Sequence, residues 1–322
     1  MYCTRLLLVI VIPIIFFSTK NNTRMNAVDS LTPTAATTNS NSKIVSAILF
    51  DIDGTLVNTD SIHYAVFREL LAQEQDFRLT QQQRKIDEEF FRHHISGRSN
   101  DLITKDFFPL WSLERRQAFS IRKEATFRER AHKDLPHLCM PGLDKIRQYV
   151  DHNHLGKVAV TNAPRLNAEA MLRGIGYQDW FGTEDGLIIG DECARPKPDP
   201  CPYLMACQRI FRTTTRTASP TTAAATAVTT DNSITAEHCL VFEDSPSGIR
   251  AGIAAGAVVI GITSGQDART LREAGCHLTI QDFNDPKLWN YLKTLTIIPP
   301  PSLPPLPASS LASSSSPTDI HT

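Results

Sequence analysis

The stretch IVSAILFDIDGTLVNTD, residues 44–60, decides the fold. Its apolar run from Ile44 to Phe50, interrupted only by Ser46, reads as a strand buried on both faces, because a half-solvated strand would alternate with polar residues. The run ends in two carboxylates, Asp51 and Asp53, and turns on Gly54. Side chains two apart on a strand leave on the same side, so both acids are aimed at one place beyond the strand's carboxyl end. Two carboxylates held that close repel each other unless something positive lies between them.

Further short apolar runs recur downstream with helical patterns between them: KVAVT (157–161), LII (187–189), CLVF (239–242), AVVIGI (257–262) and HLTI (277–280). Continuous apolar strands alternating with helices predict an α/β fold, a doubly wound parallel sheet covered on both faces in the Rossmann-like manner. The interval from Asp60 to about Met140 breaks this rhythm, with helical patterns and no convincing strand. Ile62, Val66 and Leu70, joined by Phe67 and Leu71, form one stripe beginning just after Asp60, which reads as the N-cap. An inserted α-helical cap placed there sits over the strand ends as a lid.

These patterns predict a core from 43–60 and 137–297, with the cap at 61–136. The core contains a Thr/Ala-rich low-complexity insert at 212–236, and a Pro/Ser-rich tail follows at 298–322. Both of these segments, and the polar linker before the core, lack the apolar content that offsets ordering entropy. Residues 1–42 read as leader and linker. Arg5 precedes an apolar run from Leu6 to Phe17, the size of a signal-peptide h-region and short for a membrane span. A Ser/Thr/Asn-rich segment containing Met25 follows it. Three readings stay open: a two-part plastid address, a cleaved secretory signal, or an upstream extension of a cytoplasmic protein that starts at Met25.

Composition narrows the partners. The 322 residues are 41% hydrophobic and carry 33 Lys+Arg against 34 Asp+Glu, a formal charge of -1. No nucleic-acid footprint or polybasic membrane patch is written there, and no stable membrane association of the mature core is expected. The expected partner is a small molecule; oligomeric state is not legible. The seven cysteines lack CxxC spacing, which argues against a zinc site or a disulfide framework, and they read as reduced thiols.

In open parallel sheets the ligand lies beyond the carboxyl ends of the strands, so the residues closing each run are the candidates. Asp51 and Asp53 close the first. Thr161 and Asn162 close KVAVT, where hydroxyl, amide and backbone N–H groups suit phosphate oxygens, the more so if a helix begins at Pro164. Glu243 and Asp244 close CLVF. Lys197, in RPKPDP, is bracketed by prolines that hold its backbone extended. Carboxylates in hard-cation geometry select Mg²⁺, which shares its shell with substrate phosphate; bound by Asp51, Asp244 and the backbone carbonyl of Asp53 it would relieve the repulsion between the acids. Asp51 is the expected nucleophile toward phosphorus, ionised at an ordinary pKa of about 3.9. Asp53 is the expected general acid/base, a task that calls for an upward pKa shift. Glu243 can contact the metal or orient Lys197, and both readings stay open.

DIDGT, Thr161, Lys197 and EDS, in this order and each after an apolar strand, resemble the haloacid dehalogenase-like hydrolase superfamily, with a helical cap after the first strand. IDEEFF, AVTNAP, ECARPKPDPCPYL, LVFEDSPSGIRAG and DPKLW are similar to the plant broad-range sugar-phosphate phosphatases of the Sgpp type, along nearly all of residues 44–292. The resemblance implies that Asp51 is phosphorylated and that Asp53 is the acid/base. It further implies that Asp51, Asp53 and Asp244 hold Mg²⁺ and that Thr161, Asn162 and Lys197 hold the transferring phosphate. β-Phosphoglucomutases share the subgroup and grip a second phosphate with a cap-loop arginine. Here the comparable SGRSN loop, Ser96 to Asn100, has Asn100 at that place with Arg98 close by. Dehalogenases lack the second aspartate.

The function expected is therefore a Mg²⁺-dependent phosphatase of small phosphorylated sugars or polyols, working through an aspartyl-phosphate. A β-phosphoglucomutase-like mutase is the enzymatic alternative, and a regulatory or binding protein on the same fold the non-enzymatic one. In the cap, His63 lies one turn into the first helix, placed to meet Asp53 on closure. Gly97, Arg98 and Asn100 belong to the loop expected to read substrate. His93 and His94 are adjacent, point about 100° apart on a helix, chelate poorly and read as exposed.

Overall fold

A computed structural model describes residues 42–80, 86–182, 185–215 and 235–300. In chain order the elements are β1 (Ile44–Val45), β2 (Ala47–Phe50), α1 (Asp60–Gln73), α2 (Gln75–Thr80), α3 (Glu88–His94), α4 (Asn100–Phe107), α5 (Leu113–Asp134), α6 (Leu143–His152), β3 (Gly156–Thr161), α7 (Arg165–Gly174), α8 (Gln178–Phe181), β4 (Leu187–Ile189), α9 (Cys201–Thr215), β5 (Cys239–Glu243), α10 (Pro246–Ala254), β6 (Val258–Ile262), α11 (Ala268–Glu273), β7 (Leu278–Ile280), α12 (Pro286–Leu292) and β8 (Thr296–Ile297). Six strands form one parallel sheet in the order β4-β3-β2-β5-β6-β7. Each apolar run picked out downstream of the first is a strand of this sheet.

The two-residue period of β2 shows why the sheet is covered on both sides. Ile48 and Phe50 join one core cluster with Leu240, Phe242 and Phe283, while Ala47 and Leu49 join another with Val158, Val160 and Val241. Phe50 stacks on Phe242 at 5.5 Å between ring centroids and meets Trp180 edge-on at 5.6 Å. A strand with both faces packed this way has no use for polar alternation.

Four expectations are corrected at element ends. The run 44–50 is not one strand. Ser46 stays in the sheet, accepting from the Gly156 N–H, but Ile44 and Val45 turn away to pair with Thr296 and Ile297. That pairing also draws in residues assigned to the linker and tail, since Ser42 bonds Thr296 and the Ile298 N–H donates to Val45. The 212–236 insert begins as the last turn of α9 and ends in a 3-10 turn at Ala236–His238, leaving 216–234 outside the described residues. Thr59, not Asp60, is the N-cap of α1, and its hydroxyl makes no capping bond because it is used elsewhere.

Between β2 and β3 the described chain is helical from α1 to α6 apart from turns and a hinge. The outgoing and returning linkers pair at that hinge. The Asn58 N–H donates to the Leu138 carbonyl at 2.9 Å and the Met140 N–H to the Leu56 carbonyl at 2.9 Å. The helical layer has its own aromatic packing around Phe77, Phe90, Phe107 and Phe108. No helix among the described residues is long and apolar enough to cross a membrane. The expected leader, Met25 and nearly all of the expected tail lie outside the described residues.

Candidate active site

Three strand ends bring the predicted groups together. Asp51 follows β2, Thr161 ends β3, and Glu243 ends β5 with Asp244 next to it, these three strands being neighbours in the sheet. Lys197 arrives from the loop between β4 and α9. Its ammonium donates to Asp51 Oδ1 at 2.7 Å, Glu243 Oε1 at 2.7 Å and the Val160 carbonyl at 2.6 Å, and so spends all three of its protons. The side chain is 3% exposed.

Glu243 is wholly buried and fully bonded. Oε1 accepts from Lys197 and, at 2.7 Å, from the Tyr203 hydroxyl; Oε2 accepts from the Ser245 hydroxyl at 3.1 Å. Of the two readings of Glu243, this geometry favours orienting Lys197. Gly248 is required beneath it, because a Cβ there would stand 1.7 Å from Glu243 Oε1.

Asp53 faces the helical layer. His63 Nε2 lies 2.8 Å from Asp53 Oδ2, and the Thr59 hydroxyl donates to Oδ1. The His63 ring stacks on Phe127 of α5 at 4.3 Å, which holds it in place. The structure thus brings His63 to Asp53 as expected, although the pKa pattern is reversed. Burial alone would raise Asp53, but His63, by charge and hydrogen bond, and the Thr59 hydroxyl bring it below the ordinary value. Asp51 is the raised one, pushed to about 8 by burial, with Lys197 opposing and Glu243 reinforcing the rise. Burial, Asp51 and Glu243 likewise push Asp244 well up. The expectation of an ordinary Asp51 pKa overlooked its burial.

That excess of buried negative charge is the test of the metal. Asp51, Glu243 and Asp244 each offer an oxygen within 4.8 Å of the others, and a hard divalent cation among them would offset their repulsion. The residues therefore fit Mg²⁺, with Asp51 and Asp244 the better placed ligands since Glu243 already has four donors in reach. The Asp53 side chain, turned toward His63, is not in this group of three, which concerns side-chain oxygens and leaves the Asp53 backbone carbonyl as the ligand expected of it. Asp244 Oδ2 lies against Gly54, where a Cβ would be 2.0 Å away and φ is +81°.

The remaining candidates divide. The Thr161 hydroxyl is buried and accepts from the Ala163 N–H at 3.0 Å, so its own proton remains to be donated. The Asn162 amide is partly committed, with one Nδ2 proton left over. It bonds the Lys197 backbone at both ends, accepting its N–H at 3.1 Å and donating to its carbonyl at 3.0 Å, and so fixes the lysine loop. In the cap loop, Gly97 approaches Ser245 and Asn100 donates to Glu124 at 2.6 Å. Arg98 does not face the site: it donates to the His94 carbonyl and to Asp106. His93 is exposed as expected, whereas His94 is half-buried against Phe90.

Sequence reasoning missed Thr59, Tyr203, Lys123 and Glu124. Thr59 carried a signal, a hydroxyl one residue before a helix that starts over the site. Tyr203, on an apolar face of α9, carried none.

A family model described as haloacid dehalogenase-like hydrolase matches residues 45–256. A phosphorylated carbohydrates phosphatase of Thermotoga maritima is 24% identical over 238 residues, covering 71% of this chain and 91% of that protein. The 2-deoxyglucose-6-phosphate phosphatase 2 of Saccharomyces cerevisiae is 26% identical over 251 residues, 74% of this chain and 88% of that protein. Among solved structures, a HAD hydrolase, family IA, variant 3, from Entamoeba histolytica has a TM-score of 0.61 at 22% identity. It covers 78% of this chain and 99% of its own, a likeness of fold.

Proposed function

The chain belongs to the haloacid dehalogenase-like hydrolases, and we propose that it is a phosphatase of small phosphorylated sugars or polyols. The observation that carries the reading is the meeting of Asp51, Lys197, Glu243 and Asp244 beyond one sheet edge, with Asp53 across from His63. Relatives acting, by name, on phosphorylated carbohydrates and on 2-deoxyglucose 6-phosphate support the substrate class. Within the family, the quoted motifs favour the plant Sgpp type.

In this reading Asp51 attacks phosphorus and forms an aspartyl-phosphate as the ester P–O bond breaks. The Thr161 hydroxyl, whose proton is uncommitted, orients a phosphoryl oxygen, while the Lys197 ammonium holds the Asp51 carboxylate in place and offsets the charge of the incoming phosphate. Asp53, which His63 and Thr59 hold below its ordinary range, takes up a proton before the ester breaks, gives it to the leaving alkoxide and then takes one from the water that cleaves the acyl phosphate, so it ends protonated as it entered the step. Mg²⁺ held by Asp51 and Asp244 would supply charge neutralisation and keep Asp51 ionised. The helical layer over the site excludes other water.

The test is free phosphate released from a panel of sugar and polyol phosphates with Mg²⁺ or with a chelator, by the parent and by Asp51→Asn. Release from several substrates that is lost with the chelator and with the substitution supports the reading. An isomer formed without free phosphate would point to a mutase, and no turnover from a folded protein to a binding role.

A further inference from the structure

Lys123 and Glu124 are neighbours on α5, so their side chains leave the helix about 100° apart, yet both are buried, at 5% and 8% exposure. Phe127 lies four residues beyond Lys123 and three beyond Glu124, on the face between them. It is the ring that stacks on His63, whose Nε2 reaches Asp53. This face of α5 is therefore the one turned toward the group proposed to protonate the leaving oxygen.

Glu124 Oε1 accepts from the Lys123 ammonium at 2.9 Å and from Asn100 Nδ2 at 2.6 Å. Oε2 accepts from Nδ2 of Asn167, a buried residue of α7 on the other side of the junction. Arg128 in turn donates to Asn167 Oδ1 at 2.7 Å. Lys123 and His63 hold the Glu124 carboxyl below its ordinary range against the opposing effect of burial. Apolar side chains of like volume would join the two layers at least as well, since a buried ion pair adds little net stability. The charges therefore call for another use. An ionised carboxylate accepts about four hydrogen bonds, and three donors are present among the described residues, two on Oε1 and one on Oε2.

We propose that Glu124, steadied by Asn100 and Asn167, is a specificity-determining residue that accepts hydrogen bonds from hydroxyl groups of the leaving alcohol. The site is thereby selective for phosphate esters of polyhydroxylated molecules over esters of alcohols that carry no further hydroxyl. This rests on the phosphatase reading above and says which part of the cap reads the substrate.

The experiment compares kcat/KM for a hexose 6-phosphate, a hexitol phosphate and p-nitrophenyl phosphate in the full chain with Mg²⁺. Glu124→Gln keeps the shape and removes the charge. The ratio of hexose or hexitol phosphate to p-nitrophenyl phosphate is expected to fall about tenfold or more, the size of a lost charged hydrogen bond. Asn167→Ser, which leaves the Lys123 pair intact, is expected to lower the same ratio less. It carries the test if thermal melting shows Glu124→Gln unfolded. An unchanged ratio in a folded variant, whether both rates drop together or neither moves, overturns the proposal while leaving the phosphatase reading intact. A parent chain that releases phosphate from none of the three overturns both.

Discussion

Lys197 Nζ donates to Asp51 Oδ1 across 2.7 Å, although 146 residues separate the two in the chain. The same ammonium bonds Glu243 and the Val160 carbonyl, and lies 4.9 Å above the Tyr203 ring, so its place is set from every side. Lys197→Met is expected to lower kcat by about a thousandfold. It leaves two buried carboxylates without their cation, at a cost of about 3–5 kcal/mol. Lys197→Arg should not restore activity, since a planar guanidinium cannot serve three acceptors arranged around a point charge. Phosphate-release kinetics and urea denaturation of both variants check this.

The pH dependence of stability follows from Asp51. Its folded-state pKa is raised from 3.8 to about 8, so the folded protein holds a proton that the unfolded chain has released. Stability from that proton is fully present below about pH 3.8 and is lost as pH rises through about 8. With metal chelated, the melting temperature should fall between pH 6 and pH 9, as Asp51 ionises beside Glu243 and Asp244. Saturating Mg²⁺ should reverse the fall, and its stabilising effect should grow with pH. Melting curves at several pH values, with EDTA and with Mg²⁺, decide it; a flat chelated profile would contradict the assignment.

His63 and Thr59 hold Asp53 below its ordinary range against the effect of burial. His63→Gln removes the imidazole that opposes burial at Asp53, so the Asp53 pKa should rise. The acid-side limb of the aspartyl-phosphate hydrolysis rate, the step in which Asp53 must be ionised to take a proton from water, should move to higher pH by about one unit, a change of about 1.4 kcal/mol between protonation states. Loss of rate with no movement of the limb would mean that His63 acts only by packing on Phe127.

At Gly54 two constraints coincide. Its φ is +81°, and an added Cβ would stand 2.0 Å from Asp244 Oδ2. Gly54→Ala should cost about 1–2 kcal/mol for the backbone alone and displace the Asp244 carboxylate. The expected result is a loss of stability with a larger loss of Mg²⁺ affinity, read by calorimetric titration of the folded variant. Normal Mg²⁺ binding in that variant would remove Asp244 from the metal site.

The sheet and the acids at its edge were legible because both depend on local rules. A strand packed on both faces must be apolar throughout, as Ile48 and Phe50 against Ala47 and Leu49 show, and a parallel sheet concentrates polar groups where its strands end. Asp51, Thr161, Glu243 and Asp244 could be named from their places after such runs, and Lys197 from the prolines that bracket it. The tertiary structure decided what those groups touch. Asn162 bonds the Lys197 backbone, Arg98 turns to Asp106, and Tyr203 reaches Glu243 from α9. The ionisation of Asp51 and Asp53 was also hidden, because burial and the neighbours that oppose it come from other elements. The Lys123, Glu124 and Asn167 cluster was least legible of all. Its members look like solvated helix residues until two layers close over them, and a one-dimensional pattern carries no record of which helix face another part of the chain will cover.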